Sequence, residues 1–121
     1  MLIFDFFAGT GSATQAFRDA GHQVITFELD PKFHTTETVD IMQLKASRLL
    51  EQYGRPDFVW ASPPCTAFSV ASIGHHWTGG KGAYIPKTDA AQFNQLLVAK
   101  TLQLINELNP YRGWLMENPR G

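Results

Sequence analysis

The chain contains one cysteine, and its surroundings make it a candidate nucleophile. Cys65 stands directly after the proline pair Pro63–Pro64, and the apolar run Phe58–Ala61 precedes that pair. This order predicts a buried strand with the thiol beyond its carboxyl end, where open α/β sheets bind their ligands. An ionised thiol can attack an electron-poor carbon. The alternative is an inert buried side chain, because free cysteine is among the most buried residue types.

A carboxylate occupies the matching position after the last apolar run. Glu117 directly follows residues 113–116, which are predicted to form the final strand. If that strand lies beside the one before Cys65, the two side chains would reach one substrate. A carboxyl group in a dry pocket has a raised pKa and can donate a proton or a hydrogen bond. The alternative is a carboxylate with a purely structural role at a strand end.

The first apolar run, residues 2–7, leads into a glycine turn. Phe7, Gly9 and Gly11 form the pattern Phe-x-Gly-x-Gly. Glycines at this place let the backbone approach a ligand closely. Position 14 is threonine, whereas the dinucleotide fingerprint has its third glycine there. The pattern therefore argues against NAD and leaves other adenosine-bearing ligands, or a plain strand-to-helix turn.

Two more acids follow predicted strands. Glu28 ends the second strand, where a carboxylate can accept hydrogen bonds from ribose hydroxyls. Asp40 follows a short possible third strand, where it could accept from an adenine amino group. A solvated carboxylate and a turn cap are the respective alternatives. No metal site is expected, because the adjacent residues His75 and His76 cannot share one face as ligands.

The elements that must position these residues alternate along the chain. Alternation of strands and helices predicts an α/β fold with a doubly wound, mostly parallel sheet, in a single domain over residues 1–121. Ser12 is expected to cap the first helix, with Ala16 and Phe17 facing inward. A glycine-rich loop is expected over 66–86. The predicted strands are 2–7, 23–28, one within 35–40, 57–61 and 113–116, and the predicted helices are 13–20, 45–53 and 89–108. The apolar face predicted for the last helix consists of Phe93, Leu96, Leu97, Leu102, Ile105 and Leu108.

Composition places this domain among ordinary globular proteins. Of 121 residues, 44% are hydrophobic and 17% charged, and the net charge is −1. A stand-alone nucleic-acid binder usually carries a basic face, and none is evident here. A single cysteine excludes an internal disulfide, and neither a signal peptide nor a membrane span is predicted. A cytoplasmic location is therefore expected.

The combination of these motifs resembles one family. Asp5-Phe6-Phe7-Ala8-Gly9-Thr10-Gly11, Pro64-Cys65 with Phe68-Ser69, and Glu117-Asn118 occur in the order and spacing of DNA (cytosine-5)-methyltransferases, particularly compact bacterial and phage members. The resemblance implies a Rossmann-like methyltransferase fold, S-adenosylmethionine as cofactor, and a role in DNA methylation and restriction-modification. It implies double-stranded DNA as the partner, with a cytosine flipped out of the stack.

The resemblance also implies roles for individual residues. Cys65 would be the nucleophile that adds to cytosine C6, and Glu117 would engage the ring nitrogen N3. Glu28 would bind the ribose and Leu29 would pack on the adenine. The cofactor-binding set that it implies is Phe7, Gly9, Thr10, Gly11, Glu28, Leu29, Asp40, Ile41 and Pro64, with no metal.

Three alternatives stay open at the level of sequence. Ser62–Cys65 is similar to the Pro-Pro-aromatic motif of amino-methyltransferases acting on adenine N6 or cytosine N4, although cysteine replaces the aromatic residue. A transfer-RNA branch of the cytosine-5 enzymes shares the motifs. The family's later arginine motif and its target recognition domain have no counterpart here. A non-catalytic half of a split enzyme, completed by a carboxyl-terminal segment or a partner chain, is the third alternative.

Overall fold

A five-stranded parallel sheet organises the part of the chain that the structure describes. The structure is a computed structural model that describes residues 1–63, 77–78, 85–86 and 89–117, with side chains for 1–63 and 92–117. The strands are β1 (Leu2–Phe6), β2 (Gln23–Glu28), β3 (Glu37–Thr38), β4 (Phe58–Ala61), β5 (Trp77–Thr78), β6 (Ile85–Pro86) and β7 (Trp114–Met116), and the helices are α1 (Gln15–Asp19), α2 (Ala46–Tyr53) and α3 (Asp89–Leu108). The strand order in the five-stranded sheet is β3-β2-β1-β4-β7.

The centre of the sheet is β1, which pairs with β2 on one side and β4 on the other. Its sequence is apolar except for Asp5, which is typical of a parallel strand that is covered on both faces. From β1 the chain moves outward to β2 and β3, then returns through α2 to β4 on the opposite side. The carboxyl ends of β1 and β4 therefore form the switch point, where sheets of this type bind ligands.

One face of the sheet carries an aromatic core. Phe4, Phe6 and Phe27 are fully buried, and the Phe6 and Phe27 ring centroids are 5.0 Å apart. Tyr53 of α2 meets the Phe4 ring edge-on at 5.8 Å. Leucines from both long helices complete this layer, with Leu49 from α2 and Leu104 from α3 buried. The core thus fixes both helices against the same face.

The opposite face carries α1, and its start differs from the prediction. Ser12 opens a short 3-10 turn, Ser12–Thr14, and caps nothing through its side chain. The helix begins three residues later because Thr14 turns inward and donates a hydrogen bond of 2.6 Å to Asp5 on β1. Phe17 is half-buried near Phe58, as predicted, whereas Ala16 is exposed.

The apolar face predicted for α3 was wrong in half of its members. Phe93, Leu96 and Leu102 are exposed, at 51%, 58% and 41%. The described part of the buried stripe also contains the polar residues Asn94 and Thr101. The Thr101 hydroxyl donates a hydrogen bond to the Leu97 carbonyl at 2.7 Å, so it is buried with a partner. The prediction considered apolar residues only, so it left out the buried polar ones. Among the α3 residues whose side chains the structure describes, 92–108, the buried ones are Asn94, Leu97, Thr101, Leu104, Ile105 and Leu108.

A partly exposed charge network ties β3 to α2. Glu37 accepts two hydrogen bonds from Arg48, at 2.8 and 3.1 Å, and a third from the Tyr53 hydroxyl. The Arg48 contact holds the Glu37 pKa below its ordinary value, whereas burial raises the Tyr53 pKa to about 12. A two-residue strand has few ladder hydrogen bonds, so this network helps to fix where the chain continues beyond β3.

Most of the predicted elements are confirmed, and so is the α/β class. The segment 66–86, predicted as a loop, contains two short strands, β5 (Trp77–Thr78) and β6 (Ile85–Pro86), which pair antiparallel. Two-residue strands carry too little alternation to be recognised in a sequence. Within the described residues, no helix is long and apolar enough to cross a membrane.

Candidate active site

A cavity of about 230 Å³ opens at the carboxyl ends of β1, β2, β3 and β4. Two carboxylates, Glu28 and Asp40, stand among otherwise mostly apolar walls. Such a combination suits an amphipathic ligand with one apolar face and a few polar atoms at its edge. The residues that line the cavity are Phe7, Phe27, Glu28, Leu29, Val39, Asp40, Ile41, Ser62, Phe93 and Leu97.

The Glu28 carboxylate is held in place by two backbone groups. Its Oε1 atom accepts from the Gly9 amide at 2.9 Å, and Oε2 accepts from the Asp30 amide at 3.1 Å. Each carboxylate oxygen has a second lone pair, so both can still accept from a ligand. Glu28 is therefore oriented before any ligand arrives, and it links the glycine turn to the cavity.

The glycine turn requires unusual backbone geometry. Phe7, Gly9 and Gly11 have φ values of 62°, 53° and 76°. The positive φ is least favourable at Phe7, because a bulky residue rarely adopts it. Backbone strain of this kind clusters at ligand-binding sites. A Cβ atom at Gly11 would stand 2.8 Å from the Arg18 guanidinium, which donates to the Gly11 carbonyl. Gly9, Thr10 and Gly11 line a neighbouring open cleft rather than the cavity itself.

Asp40 is the turn cap that the sequence offered as the alternative, and it also lines the cavity. Its Oδ1 atom accepts from the Met42 amide at 3.0 Å and caps the 3-10 turn Ile41–Gln43. The other oxygen, Oδ2, has no hydrogen-bond donor among the described residues and lies on a residue that lines the cavity. Ile41 is 6% exposed and forms part of the apolar wall. A carboxylate fixed through one oxygen can present the other to a ligand donor.

Several lining residues escaped the sequence reasoning. Phe27 belongs to β2 and Val39 directly follows β3. An apolar residue at either place predicts a buried side chain, and the pattern does not distinguish a cavity wall from the core. Ser62 lines the cavity after β4, where its hydroxyl accepts from the Trp60 indole at 3.0 Å. Phe93 and Leu97 reach the cavity from α3, far away in sequence. Only the packing of α3 against the sheet reveals them.

The two proposed catalytic positions follow neighbouring strands. β4 and β7 pair in parallel, with Ala61 opposite Met116, and the Glu117 amide donates to the Ala61 carbonyl at 2.8 Å. The predicted adjacency of these strands is therefore confirmed. The Glu117 side chain is exposed. Pro64 and Cys65 lie outside the described residues, so their placement stays a prediction.

Asp5 is a buried acid on the reverse side of the glycine turn. It is 1% exposed, and burial raises its pKa to about 6. The hydrogen bond from Thr14 and the nearby Arg18 charge act in the opposite direction, while the Glu28 charge adds to the rise. The carboxyl group thus takes up a proton more readily in the folded protein than in the unfolded chain.

The raised pKa of Asp5 makes the free energy of unfolding depend on pH. A raised folded-state pKa stabilises the fold fully below pH 4, and the contribution is lost as pH rises through about 6. Asp5→Asn cannot titrate, so the free energy of unfolding of the unmodified protein should fall relative to the variant by about 2–3 kcal/mol between pH 4 and 7. Urea unfolding at several pH values measures this difference. A constant difference across the range would contradict the raised pKa.

No group of three or more histidine, cysteine or acidic side chains able to hold a metal occurs within residues 1–63 and 92–117. What the geometry does assemble is an apolar cavity with two preset carboxylates, next to the strand that leads into Pro63.

The family model for C-5 cytosine-specific DNA methylases matches residues 1–121. The chain belongs to this family.

A viral relative supports the membership. The chain is 29% identical over 120 residues to a protein of Frog virus 3 (isolate Goorha) named "Probable DNA (cytosine-5)-methyltransferase". The match covers 98% of this chain and 54% of the relative. The chain therefore spans about half the length of the relative that it matches.

Proposed function

We propose that this chain supplies the cofactor-binding and nucleophile-bearing part of a DNA cytosine C5 methyltransferase. The observation that carries the proposal is the cavity at the switch point, where Glu28 and Asp40 lie in a chain whose family is the C-5 DNA methylases. Its proposed donor is S-adenosylmethionine and its proposed substrate a cytosine in double-stranded DNA.

The cavity fits the nucleoside end of that donor. Its volume, about 230 Å³, is below the roughly 300–1,000 Å³ typical of pockets that enclose a whole drug-sized ligand. The Glu28 oxygens would accept from the ribose hydroxyls, and Asp40 Oδ2 from the adenine amino group. The apolar walls at Phe7 and Ile41 would cover the ring faces. The glycine turn at Gly9 and Gly11 would face the methionine end.

The reaction needs a nucleophile and a proton-handling group beside the base. Bound S-adenosylmethionine would supply an electrophilic methyl group on sulfur. The Cys65 thiolate would form a bond to cytosine C6, and a hydrogen bond or proton from Glu117 at N3 would take up the charge that develops on the ring. The electron pair released toward C5 makes that carbon the nucleophile, and C5 would bond to the methyl group as the bond from that group to the donor sulfur breaks. Loss of the C5 proton and cleavage of the bond to Cys65 would then restore the ring.

The base must leave the helix for this chemistry, since a stacked cytosine exposes neither face of C6. The strand ends that carry Cys65 and Glu117 would receive it. With a net charge of −1, the chain lacks the excess of cations that phosphate binding usually requires. A further segment or partner chain is therefore proposed to supply most of the DNA-binding surface.

The test uses a duplex that contains 5-fluorocytosine, together with S-adenosylmethionine. Fluorine cannot leave C5 as a proton does, so the thiol should remain bonded to C6. Peptide mass spectrometry should then locate the adduct at Cys65. The chain is assayed alone and with a separately supplied carboxyl-terminal segment of a relative. A single-stranded RNA bearing the same base tests the transfer-RNA alternative, and an adduct on that RNA alone would overturn the DNA assignment.

A further inference from the structure

Phe93 is a large apolar side chain in an unfavourable place for a residue with only a structural role. It lies on α3 and is 51% exposed, whereas its neighbour Asn94 is buried. Phe93 also lines the cavity that contains Glu28 and Asp40. A half-exposed aromatic ring at a cavity edge leaves apolar surface in water that a ligand can cover.

The helix gives Phe93 a defined position. Leu97 is one turn further along, so the two side chains lie on the same side of α3. Leu97 is 4% exposed and lines the cavity as well, which anchors this side of the helix against the core. Because Cβ bonds tilt toward the helix amino terminus, Phe93 projects beyond Leu97 to the rim of the cavity.

A second exposed apolar residue lines the same cavity from a different element. Leu29 follows β2 directly and is 65% exposed. The carboxylate of Glu28 stands next to it in the sequence, held by the Gly9 and Asp30 amides. The rim is therefore apolar at Leu29 and Phe93, while the polar groups lie between the walls. This arrangement suits a flat ring with polar edges.

We propose that Phe93 is a cofactor-binding residue that packs on the purine ring, together with Leu29. The inference rests on the proposed function, because it assigns the purine end of S-adenosylmethionine to this cavity. It adds a contact from α3, an element that carries none of the cofactor-binding residues expected from the sequence. Removing an aromatic ring that stacks on a base should weaken binding about tenfold to a hundredfold.

The test compares Phe93→Ala with Leu96→Ala as a matched control. Leu96 lies on the same helix and is 58% exposed, but it lines a surface depression outside the cavity. Calorimetry measures the Kd of S-adenosylmethionine and of adenosine for each protein. Phe93→Ala should weaken both ligands by the same factor, because the lost contact is with the purine that they share. Leu96→Ala should leave both Kd values unchanged, and Phe93→Tyr should restore binding.

The other outcomes separate an error in the Phe93 assignment from an error in the proposed function. If the unmodified protein binds the cofactor but Phe93→Ala matches Leu96→Ala, the Phe93 assignment alone is wrong. The same holds if S-adenosylmethionine weakens while adenosine does not. If the unmodified protein binds neither ligand, the proposed function fails and this inference fails with it. Phe93→Gln, which suits an exposed helix position, replaces Phe93→Ala if thermal unfolding shows that the alanine variant is not folded.

Discussion

In the enzyme completed by the proposed further segment or partner chain, Cys65→Ser is expected to abolish methyl transfer, lowering the rate by about a thousandfold or more, while cofactor affinity stays unchanged. A serine hydroxyl is almost wholly protonated near neutral pH, whereas a few per cent of a free thiol is already ionised. The change in volume is small, so the fold should tolerate it. Transfer of tritium from labelled S-adenosylmethionine to DNA measures the rate, and calorimetry measures cofactor binding.

Glu117→Gln provides the graded comparison. An amide can still hydrogen-bond the ring but cannot deliver a proton, so this variant should lose less activity than Cys65→Ser. Both variants should show unchanged thermal unfolding. If Cys65→Ser retained turnover, Cys65 would be a structural residue, and direct attack by an exocyclic amine, as in amino-methyltransferases, would explain the transfer better.

The second large effect is expected at Glu28. Glu28→Ala should weaken S-adenosylmethionine binding by about 2–4 kcal/mol, or roughly thirtyfold to a thousandfold in Kd, because two hydrogen bonds to a charged acceptor are lost. The Gly9 and Asp30 amides would also lose their partner. Part of the loss therefore comes from a loosened glycine turn.

Two further variants separate these contributions. Glu28→Gln keeps a neutral acceptor for one backbone amide, so it should bind better than Glu28→Ala but worse than the unmodified protein. Glu51→Ala removes an exposed carboxylate from α2 that does not line the cavity, and it should leave the Kd unchanged. Equal affinity of Glu28→Ala and Glu51→Ala would show that Glu28 does not contact the cofactor.

The sequence predicted the sheet well because each central strand is a compact apolar run bounded by turn residues. The positions of Glu28 and Asp40 followed from the rule that parallel strands end at one edge, and both line the same cavity. The adjacency of β4 and β7 could be predicted from the same rule. In these cases the apolar run that predicts each strand agrees with the rule that parallel strands end at the same edge of the sheet.

The failures lie where one residue depends on a distant partner. The choice between Ser12 and Thr14 at the start of α1 depends on Asp5, whose buried carboxyl group draws the threonine inward. The buried face of α3 depends on Thr101, which bonds within its own helix and so tolerates burial. The cavity role of Phe93 depends on how α3 packs on the sheet. None of these contacts can be predicted from the few residues on either side of the position in the sequence.

The pairing pattern of β1 has a consequence for how the chain folds. A hydrogen bond from the Leu2 amide to Asp57 joins residues 55 positions apart, and β1 pairs with β4 over a similar separation. Contacts this distant carry a large loop-closure cost and form slowly. The switch point that hosts the cavity cannot exist before this closure. We therefore expect cofactor-binding competence to appear late in refolding, after helical structure has been regained.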